Sequence, residues 1–252
     1  MVTQVDLNSD MGEGFGPWTM GDDAALLDVI TSANIACGMH AGDLDVMART
    51  MQMATDKGVG IGAHPGFDDL RGFGRRRLLR TAGELTNLVT YQLGAAQAMA
   101  RAAGGHVRHF KLHGALANMC SEDRDMALTC YRAALAVDPD IVVMVLAGTE
   151  QQAAMEELGG NWAGEIFADR AYNDDATLVD RTLPGAVLHD AAIVAPRILA
   201  MLEADAIIAE SGKRIPARID TICLHSDTPE AVAMARELRR LLTEAGVTLQ
   251  KL

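Results

Sequence analysis

Short apolar or β-branched runs recur along the chain at residues 3–7, 32–37, 59–63, 107–112, 141–146, 164–167 and 218–224, and each ends in a polar cluster. Runs of this length, bounded by turn-forming residues, predict seven strands. Between them lie stretches with helical periodicity, at 22–30, 44–57, 81–103, 124–136 and 229–245, rich in Ala, Leu, Met, Arg and Glu. Thr81-Ala-Gly-Glu84 has the capping-box spacing and Gly104-Gly105 supplies a stop for the same helix. Asp227-Thr228 ahead of Pro229 reads as a cap followed by proline in the first turn of the last helix. Strands that alternate with helices imply a mostly parallel sheet. With no linker-like tract in 252 residues, the pattern predicts one α/β domain over 1–252, a TIM-like barrel or a doubly wound sheet.

The placement of polar residues favours the barrel. The first strand runs into Asp6, Asn8, Asp10 and Glu13, the second into Asn34, His40 and Asp43, and the third into His64, Asp68 and Asp69. The fourth carries His109, Lys111 and His113, the sixth Glu165, Asp169 and Arg170, and the seventh His225 and Asp227. In a parallel α/β architecture the C-terminal strand ends converge on one mouth, where an active site is built. Any one of these histidines alone reads equally as a hydrogen-bonded structural residue. As a set they mark a site, whereas His106, preceding the fourth strand, and His189, beginning a predicted helix, lie off the strand ends and read as surface or cap residues.

Lys111 is the most informative position, one of only four lysines, flanked by Phe110 and Leu112 in mid-strand. Both faces of a barrel strand are covered, so an ammonium there needs an anionic or polarised partner. By period two His109, Lys111 and His113 share a face, as do Asp6, Asn8 and Asp10. Asp6 and Asn8 read equally as Asx residues bonded to nearby backbone. Two imidazoles and a carboxylate at Asp10, His40 and His64 would suit zinc or iron, although no H-x-x-x-H motif accompanies them.

Composition narrows the function further. Lys and Arg total 22 against 34 for Asp and Glu, a net charge of −12, which disfavours nucleic acid and anionic membranes as partners. No apolar run approaches the roughly 20 residues of a membrane span, and the acidic first fifteen residues do not resemble a signal peptide, so a cytoplasmic location is expected. Cys37, Cys120, Cys130 and Cys223 lack C-x-x-C spacing and read as small core residues. Pro17 and Pro65 stand where a G-x-G-x-x-G fingerprint needs its third glycine, and Gly212-Lys213-Arg214 is no Walker A motif. The basic run Arg75, Arg76, Arg77 and Arg80 reads equally as an anion-binding loop or as a solvated or oligomer contact, so a homo-oligomer is one state the sequence allows.

Six ordered motifs carry a resemblance: Asp6-Leu-Asn8-Ser-Asp10-Met-Gly-Glu13, Asn34-Ile-Ala-Cys-Gly-Met-His40-Ala-Gly-Asp43, Ile61-Gly-Ala-His64-Pro-Gly-Phe-Asp68-Asp69, Gly72-Phe-Gly-Arg75-Arg76, Lys111-Leu-His113-Gly-Ala-Leu-Ala-Asn118 and Glu165-Ile-Phe-Ala-Asp169-Arg170-Ala-Tyr172. Together they resemble the LamB/YcsF family, which supplies one of the subunits of bacterial 5-oxoprolinase. The resemblance implies a (β/α)7 barrel of the glycoside hydrolase/deacetylase type. It also implies ATP-dependent opening of 5-oxo-L-proline to L-glutamate, with ATP and Mg²⁺ as cofactor and the 5-oxoprolinase subunits B and C as partners. Four residues in three motifs depart from the family pattern and bear on which substrate is used: Leu112 and Ala117 in place of the family's Pro and Tyr, Asp180 in place of Pro, and Ser226 in place of Gly.

On this reading Asp10, His40, His64, Lys111 and His113 are catalytic, with Lys111 neutralising charge on the lactam oxygen and a carboxylate or histidine activating water. Asn8, Glu13, Asn34, Glu165, Asp169, Arg170 and His225 are read as substrate-binding, with Arg170 or the 75–77 run holding the substrate carboxylate. Lys111→Met is expected to reduce turnover far more than fold stability. The rival readings are a metal-dependent deacetylase or amidase working without ATP, and a non-catalytic protein that presents the lactam to a partner.

Overall fold

The computed structural model describes residues 2–225 and 231–252. Six strands alternate with helices in the order β1 (Gln4–Met11), α1 (Asp23–Leu26), β2 (Ser32–Ala36), α2 (Leu44–Asp56), β3 (Gly60–His64), α3 (Ala82–Ala102), β4 (Val107–Lys111), α4 (Gly114–Glu122), α5 (Arg124–Val137), β5 (Val142–Leu146), α6 (Glu150–Leu158) and β6 (Trp162–Phe167). Then follow α7 (Ala191–Ala204), a two-stranded antiparallel ribbon of β7 (Ala206–Ile208) and β8 (Arg214–Pro216), β9 (Thr221–Leu224), α8 (Ala231–Glu244) and β10 (Thr248–Leu249). β1 to β6 and β9 pair in parallel, and β1 pairs with both β2 and β9, which closes a seven-stranded barrel. β10 adds in parallel to the first residues of β1.

The seven predicted strands are the seven barrel strands, with shifted ends. β1 continues to Met11, so Asp10 lies inside the strand and not in the loop beyond it. The segment predicted as a helix over 22–30 folds only one turn, capped by Asp22. The helices α4 and α6, the β7–β8 ribbon and β10 had no sequence prediction. The capping box is present: Thr81 Oγ1 accepts from the Glu84 backbone N–H while Glu84 accepts from the Thr81 N–H. The predicted Asp227-Thr228-Pro229 cap lies outside the described residues, as does Ser226. Among the described residues no helix is long and apolar enough to cross a membrane.

Strand periodicity sorts the barrel into two faces. Leu7, Ile35, Phe110, Val143, Val145, Ile166 and Ile222 are fully buried in the aliphatic core, on the face that helices cover. The alternate positions Asp6, Asn8, Asp10, Ser32, Asn34, His109, Lys111, Glu165 and Thr221 are also buried but polar. Buried polar groups persist only when hydrogen-bonded, and these bond one another across the barrel. Asp6 accepts from the Thr31, Ser32 and Thr221 hydroxyls at 2.6–2.7 Å, so it serves side chains brought in by neighbouring strands, where the sequence equally allowed bonds to nearby backbone. Asn8 donates to Thr221 Oγ1 at 2.6 Å and accepts from Asn34 Nδ2 at 2.7 Å. His109 fits because position 62 has no side chain: a Cβ on Gly62 would lie 1.9 Å from His109 Nε2.

Candidate active site

Lys111 sits at the top of this ladder, where the barrel opens. Its Nζ lies 2.9 Å from both Asp10 Oδ1 and Glu165 Oε1, and 3.1 Å from Cys223 Sγ. Asn34 Nδ2 donates to the same Asp10 oxygen at 2.8 Å. Desolvation opposes the charge on Lys111, but Asp10, Cys223 and Glu165 outweigh it and hold the ammonium well above the usual lysine range. Burial also opposes ionisation of Asp10, yet His64 and Lys111 prevail and keep its carboxyl well below the ordinary value. Glu165 goes the other way, pushed up by burial against the pull of Lys111. The expectation that a mid-strand lysine must meet an anion is met twice over.

The second group is a histidine cluster. His64 Nε2 is 3.4 Å from Asp10 Oδ2 and 3.1 Å from His113 Nδ1. His40 is stacked flat on His113, centroids 3.7 Å apart and planes at 8°, while His64 stands edge-on to both. Glu13 Oε1 lies 3.7 Å from His40 Nε2 and 3.8 Å from His113 Nδ1. Two glycines let the surrounding loops approach: a Cβ at Gly66 would meet His40 Nδ1 at 2.7 Å, and one at Gly74 would meet His40 Cβ at 2.7 Å. Burial first, then neighbouring histidines, push His40 and His113 well below the usual histidine range, so both are neutral.

Glu13, His40, His64 and His113 offer ligand atoms that all lie within 4.8 Å of one another. Of the residues grouped from sequence, His40 and His64 belong to this cluster, while Asp10 borders it through Oδ2, 3.4 Å from His64 Nε2. Asp10 points down the barrel axis to Lys111 and Asn34, whereas Glu13 follows the turn at Gly12 (φ +67°) and reaches over the mouth.

A third pair faces the same opening. His225 Nδ1 lies 2.7 Å from Asp169 Oδ2, and its ring stacks on Phe167 at 5.3 Å. Burial opposes the charge on Asp169, but His225 outweighs it and holds the carboxyl below the usual range. A histidine oriented by a carboxylate through one ring nitrogen presents the other for proton transfer.

All three groups meet at a cavity of about 670 Å³. Asp10, Glu13, His64, Lys111, His113, Glu165, Arg170 and His225 line it. Asn8, Asn34, His40 and Asp169 do not: they lie one layer behind and hold Lys111, Asp10, His113 and His225 in place. Asn8, Asn34 and Asp169, expected to bind substrate, and His40, expected to be catalytic, thus stand behind the cavity wall. Arg170 reaches the cavity but donates to Val179 O at 2.6 Å and Ala186 O at 3.3 Å, pinning the 171–186 loop.

The sequence missed Arg181, which lines the cavity beside Arg75 and Arg77 and whose charge, after burial, lowers the Arg170 pKa. In the basic run Arg76 pairs with Asp69, Arg77 with Glu122 and Arg80 with Asp68. Leu112 and Ala117, two of the departures, also line the cavity, as does Asp180. His106 is exposed, and His189 is an exposed residue just ahead of the Asp190 cap of α7. All four cysteines are buried thiols.

Known proteins share this architecture. The A subunit of 5-oxoprolinase from Ruegeria pomeroyi is 65% identical over 248 residues, covering 98% of each chain, and that from Rhodopseudomonas palustris strain BisA53 is 54% identical over 98% of each. The crystal structure of a lactam utilization protein from Thermus thermophilus superposes with a TM-score of 0.92 at 36% identity, covering 99% of this chain and 100% of that one. The catalytic domain of a peptidoglycan N-acetylglucosamine deacetylase from Eubacterium rectale superposes at 0.53 with 10% identity, covering 99% of this chain and 88% of that one, a likeness of fold alone. Residues 5–252 match the LamB/YcsF family, and the chain belongs to it.

Proposed function

We propose that this chain is the A subunit of an ATP-dependent 5-oxoprolinase, opening 5-oxo-L-proline to L-glutamate with two further subunits, B and C. The relatives that bear the 5-oxoprolinase name support the substrate. The observation that carries the chemistry is Lys111, held charged between Asp10 and Glu165 on the cavity wall.

An unstrained lactam resists water, so activation has to precede attack. In this reading ATP phosphorylates the lactam carbonyl oxygen as the ring nitrogen gives up its proton. Lys111 offsets the negative charge on that oxygen as it takes the phosphoryl group and ADP leaves; water then adds to the activated C=N carbon, losing a proton to a cavity base as the nitrogen regains one. The carbon–nitrogen bond then breaks as the nitrogen is protonated, a step suited to His225 backed by Asp169. An acyl phosphate remains, and a second water releases glutamate and phosphate. A cavity of about 670 Å³ lies within the roughly 300–1,000 Å³ that holds drug-sized ligands, room enough for a phosphorylated lactam. Arg75 and Arg181 on its wall suit the phosphoryl or carboxylate group. With neither a Walker A motif nor a dinucleotide fingerprint here, the reading leaves ATP and Mg²⁺ to a different kind of site in this chain or to a partner protein.

The test is glutamate and ADP release from 5-oxo-L-proline, ATP and Mg²⁺ by this chain alone, by subunits B and C alone, and by all three. Release only from the full mixture, lost with Lys111→Met assayed where circular dichroism shows it folded, is the expected result. No glutamate from any mixture of folded proteins would overturn the substrate reading. A wild-type rate in the lysine variant would remove Lys111 from the chemistry.

A further inference from the structure

The hydrogen bonds around the histidine cluster fix where its lone pairs point. A carbonyl oxygen only accepts, so His64 donates through Nδ1 to Lys111 O at 2.9 Å, and His113 donates through Nε2 to Phe73 O at 2.8 Å. These bonds turn the opposite nitrogen of each ring into the cluster. The remaining nitrogens, His64 Nε2 and His113 Nδ1, face each other at 3.1 Å in a buried site, with Asp10 Oδ2 3.4 Å from His64 Nε2. A third ring adds to the problem: both nitrogens of His40, a residue with no exposed surface, lack a hydrogen-bond partner among the described residues. Unpaired buried polar atoms are costly unless a ligand satisfies them, and the Glu13 carboxylate beside them adds negative charge to the same spot.

We infer that His64 Nε2, His113 Nδ1 and Glu13 hold a divalent transition-metal ion of the zinc class. Zinc bonds of roughly 2.0–2.2 Å to nitrogen and oxygen put two ligands of a tetrahedron about 3.4 Å apart. Two of the three donor separations, 3.1 and 3.8 Å, bracket that figure, and all the donor atoms lie within 4.8 Å of one another. The donor set, imidazole nitrogen with one carboxylate, is that of zinc and its borderline neighbours and not of calcium or magnesium. The two backbone carbonyls are the outer partners that orient metal-bound histidines. His40, parallel to His113 at 8°, joins as a fourth donor by turning its ring toward the ion.

The inference is independent of the lactam reading, because its test reads metal uptake and not turnover. Full-length protein stripped by chelator is titrated with Co²⁺ and followed by visible absorption. One equivalent should bind, with the intense d–d bands of a low-coordinate, nitrogen-rich site. Glu13→Gln and His64→Gln should each weaken binding about 100-fold or more. If His64→Gln does not fold, Glu13→Gln and the ligand-field spectrum of wild type carry the test. Folded wild type that takes up no Co²⁺ at a hundredfold excess, or uptake unchanged in the folded variants, would overturn the site. The confronting nitrogens would then share a proton instead.

Discussion

Replacing Lys111 by methionine tests the electrostatics of the barrel mouth directly. Lys111 and Glu165 are both buried, and Nζ is 2.9 Å from Glu165 Oε1 and from Asp10 Oδ1. Without the ammonium Asp10 retains His64 at 3.4 Å, but Glu165 loses its ion partner. Breaking a buried pair from one side costs about 3–5 kcal/mol. The sequence-based expectation that turnover suffers far more than stability is thus revised: this lysine also offsets two buried carboxylates.

The cost should depend on pH with a definite sign. Burial already raises the Glu165 pKa, and removing the cation raises it further. A carboxyl whose folded pKa is raised stabilises the fold in its protonated form. That contribution is full below the unfolded value near 4.3 and is lost as pH rises through the folded value. The gap between Lys111→Met and wild type should therefore narrow by up to about 1.4 kcal/mol per unit as pH falls from 8. With a urea m-value of roughly 2–3 kcal/mol/M, the loss at pH 8 is a midpoint shift of about 1–2 M. Glu165→Gln added to Lys111→Met should restore at least half of it at pH 8 and abolish its pH dependence. A shift that is small, or the same at pH 5 and pH 8, would refute the claim that the lysine neutralises Glu165.

Three further outcomes follow from the same geometry. Burial and then the Lys111 charge lower the His109 pKa to about 3, so its neutral form stabilises the fold fully above about pH 6.5 and less as pH falls toward 3; His109→Gln should remove up to about 1.4 kcal/mol per unit from the acid slope of urea midpoints. Gly62→Ala would drive a Cβ into His109 and should cost about 1–3 kcal/mol or more, read as a lowered melting temperature, whereas Gly94→Ala, in α3 with open space at its Cβ, should raise stability by about 0.5–1 kcal/mol. Asp169→Asn removes the anion that orients His225 and should lower kcat of the reconstituted complex about 10²-fold or more with little change in KM; an equal loss in both constants would point to substrate binding.

The barrel was legible because seven apolar runs alternated with helical segments and titratable residues crowded their C-terminal ends. Lys111 stood out as a lysine where a covered strand tolerates none without a partner. Which partner it takes was not legible. Parallel pairing is set by register, and the pairs Asp10↔Asn34 and Glu165↔Thr221 bring together residues far apart in sequence whose local patterns say nothing of each other. Asp10 was grouped with His40 and His64 by donor chemistry alone, and Glu13 with substrate contacts; that Glu13 stands beside His40 and His113 depends on the turn at Gly12, which no periodicity reveals. The helix α4 escaped notice because it opens at a glycine without a side-chain cap, leaving no start signal.

The polar ladder also explains how a barrel keeps a lysine charged at the wall of a cavity. A mouth built on aliphatic layers would favour the neutral amine. Here Asp6, Asn8, Asn34 and Thr221 carry hydrogen bonds from strand to strand up to Asp10, so the carboxylate that faces Lys111 is itself fixed. The ammonium has three hydrogens and three close partners, Asp10, Glu165 and Cys223. To meet an oxyanion it has to release one. The thiol is the weakest acceptor of the three, and giving it up leaves both carboxylates paired. Lys111 can then turn toward developing charge while its own charge stays compensated, which is the condition for stabilising a transition state more than the resting site.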